Sequence, residues 1–375
     1  MGLRLFFFPA ILLCLMAAAV RADDAPSTDF ALRGNLYIVG PEEMTPYINA
    51  AVANFAAQQG ETLAPVIAAK GSTAAIREFC GGLGVDFPDV VASTRRMSRA
   101  ELKICAHNKV EEVIEIGIGY DAIVVVAKHG TEPFNLVPEY MYRALARDIP
   151  QEGQFHPNPH QKWKTVHGFL PDSDIKVFVP PAASGGRGIS AASGGRSVSA
   201  ASGGRSLFDD RVMQAGCRSI PEVRAIYAAA ERTAKCVTGR SDGRFIEMGE
   251  VSQASDLFRD APDGTMAVVD RSRWVDDAKN LTVFPINGLL PMEQSIASEE
   301  YPLSRRLYFY FKKGHMRDRK GFGVAKGLRE FMISVTSDEA MEPGGYFERK
   351  GLVLLRREDR ARQRLEAVSL TPLQR

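Results

Sequence analysis

Short apolar runs alternate with amphipathic segments through most of the chain, and this alternation limits the folds available to it. The runs at 36–39, 65–67 and 89–92 predict strands, and Ile48, Val52 and Phe55 follow the first run at helical spacing. Further strands are predicted at 113–116, 122–127, 174–179 and 306–311, and a late helix carries Leu328, Phe331, Met332 and Val335. Strands that alternate with helices predict an α/β fold.

The N-terminus has the features of an export signal. Arg4 precedes an apolar run from 5 to 20, and residues 20–22 form a suitable small-x-small cleavage site. The run is too short to span a bilayer comfortably, so an uncleaved anchor is the weaker alternative. We expect cleavage after residue 22 and a periplasmic location, which leaves roughly 350 residues, enough for two lobes with separate cores.

The composition is that of an ordinary soluble protein, with 45% hydrophobic and 25% charged residues. A net charge of +2 is too small to favour nucleic acid or an anionic membrane as partner. The zinc-protease motif H-E-x-x-H does not occur, and His156 and His160 are separated by prolines that exclude a helix. Neither an enzyme nor a metal or other cofactor is expected, and an exported hydrolase is the weaker alternative.

Four cysteines remain after the expected cleavage, an even number that suggests two disulfides in an exported protein. They are Cys80, Cys105, Cys217 and Cys236. Three pairings are possible, of which the sequential one keeps both bridges local. Each local bridge would contribute about 3 kcal/mol by the chain-entropy estimate. A zinc site is the rival interpretation, but the sequence has no C-x-x-C pair.

A nine-residue repeat occupies 183–208, where the pattern Ala-Ser-Gly-Gly-Arg begins at residues 183, 192 and 201. A calcium-binding β-roll is disfavoured, because the repeat has no aspartate and only three copies. A flexible Gly/Ser linker is a further alternative. We favour duplication of one functional turn. The first copy, at 184–187, directly follows a predicted strand, whereas the third copy, Ser202 to Arg205, directly precedes a helix and is the favoured binding copy.

Three polar turns lie where a strand ends or a helix begins. Gly71, Ser72 and Thr73 open one helix, Ser202 to Arg205 open another, and Ser93, Thr94 and Arg95 follow a strand. The first turn of a helix offers unpaired N–H groups and a partial positive charge, which favour anions. A single turn of this kind is usually only a helix cap. Three of them, with Arg95 and Arg205, favour a tetrahedral oxyanion as ligand.

Asp89 is the acid that the sequence places near these turns. A carboxylate in an anion site is favourable only when the ligand brings a proton, as monohydrogen phosphate does and sulfate does not. The alternative is that Asp89 only ends a strand or caps a turn.

Several motifs together resemble the periplasmic phosphate-binding proteins of ABC importers over about residues 35–355. These motifs lie at 87–97, 116–123, 157–163, 240–247, 301–305 and 343–352. The resemblance implies a two-lobed periplasmic-binding-protein-like fold with a hinge and an inter-lobe cleft. It further implies a monomeric receptor that binds inorganic phosphate or a related oxyanion and delivers it to a membrane ABC permease.

The resemblance also implies ligand-binding residues in both lobes. In the first lobe they are Ser72, Thr73, Ser93, Arg95 and the proton-accepting Asp89. In the second lobe they are Ser202, Gly203, Gly204 and Arg205, with Gly204 in place of the threonine of the family. The first turn departs further from the family, because Glu42 and Glu43 replace hydroxyl donors. Either Thr45 takes over as a donor, or the two glutamates point away from the ligand, or the ligand is not phosphate.

The expected division of the chain is a signal peptide at 1–22, two segments of the first lobe, one segment of the second lobe and a tail. The first lobe takes 31–117 and 282–356, the latter including the return crossover, and the second lobe takes 118–281. The charged tail at 357–375 is expected to be a solvated helix or a disordered extension. The alternative function is a receptor that kept this fold but binds another oxyanion or none.

Overall fold

The computed structural model describes residues 2, 35–59, 66–69, 71–152, 154–182, 203–226, 229–249, 251–316 and 323–374. The expected export signal and the first two repeats therefore lie outside the described residues. The strands are β1 Tyr37–Gly40, β2 Val66–Ala69, β3 Val90–Ser93, β4 Val113–Lys128, β5 Asp148–Gln151, β6 Gln154–Pro157, β7 Val177–Val179, β8 Phe245–Glu247, β9 Met266–Asp270, β10 Leu281–Val283 and β11 Ser304–Lys312. The helices are α1 Thr45–Gln59, α2 Ser72–Phe79, α3 Arg99–His107, α4 Pro138–Leu145, α5 Trp163–Val166, α6 Gly203–Phe208, α7 Ala215–Ser219, α8 Pro221–Ile226, α9 Ala229–Val237, α10 Arg271–Asp276, α11 Glu293–Ala297, α12 Leu328–Ser334, α13 Asp338–Met341, α14 Tyr346–Arg349 and α15 Arg357–Ser369.

One sheet runs through both halves of the molecule, with the strand order β2-β1-β3-β11-β4-β9-β7-β8 and β10 paired with β4. The strands β1, β2 and β3 are parallel to one another, and so are β7, β8 and β9. Between these two parallel sets, β11 and β4 form an antiparallel pair, while β5 and β6 form a separate hairpin. The predicted α/β class is confirmed.

The longest strand, β4, joins the two halves. The sequence predicts two strands here, at 113–116 and 122–127, but the structure has one strand of 16 residues. The intervening residues stay in the sheet because β11 pairs with β4 from Val113 to Ala122. The crossing is irregular, since the register shifts between Leu307 and Tyr308 and Gly119 has a φ of 149°.

The buried apolar side chains divide the chain into two lobes at this crossing. Ile118 and Leu307 pack in the core of the first lobe, whereas Tyr120 and Leu303 pack in the core of the second. The return to the first lobe therefore lies near residue 304, inside the segment 282–356 that was expected to contain the crossover, and residues 282–303 stay with the second lobe. The segment after 281 stays with the second lobe, because β10 pairs with β4 and the side chains that follow, such as Phe284, enter its core.

The C-terminal tail packs against the first lobe. Residues 357–369 form helix α15, and Ala367 packs in the first-lobe core. The amide oxygen of Gln363 accepts a hydrogen bond from the backbone N–H of Gly117 in β4. Arginine side chains of this helix pair with carboxylates, including Arg360 with Glu342. The tail therefore forms a helix, which was one of the two expectations, but one face of this helix packs on the first lobe and is not solvated.

Two disulfides form, one in each lobe. They join Cys80 to Cys105 and Cys217 to Cys236, which is the sequential pairing. Both bridges link helical segments to their neighbours in the same lobe. In the described part of the chain, no helix has the length and apolar character needed to cross a membrane.

Candidate functional site

The carboxyl ends of the parallel strands of both lobes point at the junction between them. In the first lobe β1, β2 and β3 end at Gly40, Ala69 and Ser93. In the second lobe β9 ends at Asp270, which pairs with Ile123 of β4, close to the crossing. Ligands of open α/β sheets bind at the carboxyl ends of strands. The topology therefore places a candidate site in the cleft between the lobes.

A cluster of hydroxyl groups lies on the first-lobe side of this cleft. The Oγ of Ser72, at the start of α2, lies 3.2 Å from Oγ1 of Thr94, just beyond β3. The N–H of Thr94 donates to Oγ of Ser72 at 3.4 Å, and Arg95 Nη2 donates to Oγ1 of Thr73 at 3.1 Å. The buried Ser93 donates its hydroxyl to the carbonyl of Arg95 at 2.7 Å. The structure thus brings together four predicted residues and adds Thr94.

Arg95 is held in place by a carboxylate of its own lobe. Its two Nη atoms donate to the two oxygens of Glu101 at 2.9 and 2.7 Å, a bidentate geometry. This pair raises the pKa of Arg95 and lowers that of Glu101 to about 2. The charge of Asp210, in the second lobe, also raises the pKa of Arg95. The second lobe therefore faces Arg95 across the cleft.

The turn after β1 differs from the hydroxyl-rich turn that the resemblance implies. Glu42–Met44 form a 3₁₀ turn, and Thr45 begins α1 in a half-buried position. Glu43 lines the cavity between the lobes, and helix α6 of the second lobe packs against this turn. At least one of the two acids therefore faces the cleft.

The second lobe contributes the start of α6. Gly203 and Gly204 form its first turn, as predicted, while Ser202 lies outside the described residues. Arg205 donates to Asp209, to Glu247 at 2.7 Å and to the carbonyl of Pro180 at 3.2 Å. These contacts lie within the second lobe.

The floor of the cleft is charged. Arg305, at the start of β11, is buried and donates to Oδ2 of Asp121 at 3.2 Å and to Oγ of Ser206 at 3.0 Å. A cavity of about 290 Å³ lies above this floor. It is lined by Glu43, Pro46, Tyr47, Asp121, Ala122, Asp270, Arg271, Ser272, Arg273, Lys350 and Gly351. Burial and the nearby charge of Asp121 raise the pKa of Asp270 to about 6.

Asp89 lies outside this site, which corrects the role that the sequence suggested for it. It precedes β3, at the amino end of the strand, whereas Ser93 and Thr94 lie at the carboxyl end. A strand of four residues separates the two ends by about 13 Å. The carboxylate of Asp89 accepts from the N–H of Tyr37 at 2.7 Å and contacts His315 at 2.7 Å. Asp89 therefore stabilises the far edge of the first lobe.

Sequence reasoning missed three residues of the cleft, namely Tyr47, Asp270 and Arg305. Asp270 directly follows the apolar run at 266–269, and Arg305 lies in the motif at 301–305, so both had a signal. Tyr47 had none, because one aromatic residue on a helix usually packs in a core. Within the described ranges, no group of three or more His, Cys, Asp or Glu side chains could hold a metal ion.

The fold and the cleft define a two-lobed α/β protein whose strands end on a polar inter-lobe cavity, the arrangement of a solute receptor. The chain belongs to the PBP superfamily, because the family model described as "PBP superfamily domain" matches residues 25–339. A comparison with curated protein sequences finds no match.

Solved structures share the fold at low sequence identity. A possible phosphate-binding protein from Planctomyces limnophilus has 16% identity and a TM-score of 0.63, and the match covers 91% of this chain and 99% of that one. PstS from Borrelia burgdorferi has 15% identity and a TM-score of 0.55, with 86% and 100% covered. An ABC-type phosphate transport receptor from Vibrio cholerae has 15% identity and a TM-score of 0.54, with 85% and 99% covered.

Proposed function

We propose that this protein is an extracytoplasmic receptor that captures inorganic phosphate between its lobes and delivers it to an ABC permease. Membership of the PBP superfamily and the similarity to phosphate receptors support this assignment. The observation that carries it is the cluster of Ser72, Thr73, Thr94 and Arg95 at the carboxyl ends of β2 and β3, opposite α6. Hydroxyls and an arginine are suitable donors for a tetrahedral oxyanion.

In this proposal the protein does no chemistry on its ligand. Contacts from Ser72 and Thr94 in one lobe and from the first turn of α6 in the other favour the closed arrangement. The permease then recognises the closed form at the membrane. Export by the N-terminal signal would place the receptor in the periplasm, as a monomer with both disulfides formed.

The test is isothermal titration of the chain from residue 23 onward with phosphate, arsenate and sulfate at pH 7.5. We expect micromolar or tighter binding of phosphate and at least about a hundredfold preference over sulfate, since unpaired buried groups penalise the wrong ligand. Absence of binding by all three anions would support a receptor that has lost this function. Turnover of a phosphate ester by the purified protein would instead indicate a hydrolase.

A further inference from the structure

A carboxylate occupies the space that a side chain at position 204 would need. The N–H of Gly204 donates to Asp270, and a Cβ atom on Gly204 would lie 2.5 Å from Oδ1 of Asp270. Contacts this short do not occur with real side chains, so a larger residue requires Asp270 to move. The glycine at 204 and the aspartate at 270 are therefore geometrically dependent on each other.

Asp270 faces the cleft cavity as well as Gly204. Charged and titratable groups surround it. They are Asp121 on β4, Arg305 on β11, Arg271 and Arg273 on α10, Tyr47 on α1, and the cavity-lining Glu43 and Lys350. Its carboxylate is thus the acceptor that the second lobe presents beside the first turn of α6.

An ionised carboxylate accepts hydrogen bonds and cannot donate them. A hydroxyl at position 204 could donate to any oxyanion, but Asp270 in its place can only pair with a ligand oxygen that carries a proton. An oxygen of a fully deprotonated oxyanion and an oxygen of the Asp270 carboxylate are both acceptors. No hydrogen atom would lie between them, so the two oxygens would repel each other.

We propose that Asp270 is a ligand-contacting residue of the second lobe and sets the protonation state of the anion that the cleft accepts. This inference rests on the proposed function. Asp270 supplies from β9 the side chain that position 204 lacks. Since the pKa of Asp270 is raised to about 6, mainly by burial, the carboxyl gains its own proton in mildly acidic solution and then becomes a donor.

Sulfate is the sharpest probe, because it does not titrate between pH 5 and pH 8. In the wild-type protein we expect its affinity to rise by about tenfold or more from pH 8 to pH 5, as Asp270 becomes protonated. In Asp270→Asn the amide is always able to donate, so sulfate affinity should be high at pH 8 and nearly independent of pH. Asp276→Asn, at the exposed end of helix α10, which directly follows Asp270, is the matched control and should keep the wild-type profile.

A residue exchange tests the dependence between the two positions. Gly204→Thr alone should abolish binding of phosphate, because the new side chain meets Asp270. Adding Asp270→Gly should restore phosphate binding and remove the preference over sulfate. Circular dichroism and thermal melts establish that each variant is folded, and the isosteric Asp270→Asn keeps the acceptor for the Gly204 N–H.

The outcomes separate this inference from the proposed function. Wild-type protein that binds phosphate, together with an Asp270→Asn variant whose sulfate profile matches wild type, would overturn the role of Asp270 alone. Wild-type protein that binds neither phosphate nor sulfate at any pH would overturn both.

Discussion

Oδ1 of Asp89 lies 2.7 Å from Nδ1 of His315, and both side chains are fully buried in the first lobe. The second oxygen of Asp89 accepts from the N–H of Tyr37 at 2.7 Å, so the carboxylate links β1, β3 and the segment after β11. The N–H of Lys312 donates to the backbone carbonyl of Asp89 at 3.1 Å. This arrangement is a structural network at the amino edge of the sheet.

We therefore expect Asp89→Asn to change stability and not ligand binding. Replacing the carboxylate weakens its hydrogen bonds to buried partners, which costs about 1–3 kcal/mol of unfolding free energy. Urea unfolding measures this cost, and phosphate titration should give the wild-type affinity. Asp86→Asn, at an exposed position nearby, should affect neither quantity. A loss of phosphate selectivity in Asp89→Asn would contradict the position that the structure gives to this residue.

The hydroxyl of Ser72 gives a direct test of the first-lobe cluster. Ser72→Ala removes the group that contacts Thr94, so phosphate affinity should fall about tenfold, the value of one good hydrogen bond. Ser98→Ala is the control, because Ser98 caps α3 and its loss should lower stability by about 1 kcal/mol with affinity unchanged. Equal phosphate affinity in wild type and Ser72→Ala would remove Ser72 from the site.

The raised pKa values of Asp209 and Asp270, both about 6, predict how stability depends on pH without ligand. A carboxyl whose folded pKa is raised stabilises the protein below its unfolded pKa, and this contribution is lost as pH rises through 6. The pKa of Glu101 is lowered to about 2, so its ionised carboxylate stabilises the folded protein at higher pH. This contribution is lost only as the pH falls below about 4.5. Between pH 4.5 and pH 7 the free energy of unfolding should therefore fall.

The variant that checks this pH effect is Asp270→Asn, which should remove about 2 kcal/mol of the decline between pH 4.5 and pH 7, because the raised pKa of Asp270 near 6 lies about 1.5 above the lower pH. Urea titrations at pH 4.5 and pH 7 measure the difference. Asp276→Asn again serves as the control. A decline of wild-type size in Asp270→Asn would show that Asp270 titrates normally.

Both disulfides should stabilise the unliganded protein. They close segments with sequence separations of 25 and 19, for which the chain-entropy estimate is about 3 kcal/mol each. Replacing Cys80 and Cys105 with alanine should destabilise the first lobe, and replacing Cys217 and Cys236 should destabilise the second. Thermal melts with and without reductant measure the effect, and the double-alanine variants should not respond to reductant at the bridge that they lack.

Helix α15 should be required for a stable first lobe. Gln363→Ala leaves the buried N–H of Gly117 without its acceptor, at a cost of about 1–3 kcal/mol. Leu365→Ala, at an exposed position on the same helix, should cost far less. Urea unfolding of the two variants measures the comparison, and equal stability would show that the helix only lies on the surface.

The first lobe was predictable because its signals are local. The runs at 36–39, 65–67 and 89–92 became β1, β2 and β3 within one or two residues, and Ser72 begins α2 as expected. The polar turns after these strands come together because parallel strands end at one edge, a rule that needs no atomic detail.

What the sequence did not show are relations between distant residues. Nothing in the run around Asp89 shows that its carboxylate meets His315, which is 226 positions away. The lobe boundary lies near residue 304 because Phe284 enters the core of the second lobe. The packing of helix α15 on the first lobe depends on the hydrogen bond from the Gly117 N–H to Gln363. The role proposed for Asp270 rests on its contact with Gly204, which is distant in the sequence and close only in the folded protein.

The pairing of β4 with β11 on both sides of the lobe crossing has a mechanical consequence for the whole molecule. The two strands cross between the lobes while hydrogen-bonded to each other. A change in the angle between the lobes must therefore bend a two-stranded ribbon, and the two connections cannot move as independent hinges. In the proposed receptor, this pairing would oppose sliding and lateral displacement of the lobes, so opening and closing would follow one dominant path. The irregular register at Leu307 and Tyr308 is where such a ribbon flexes most easily.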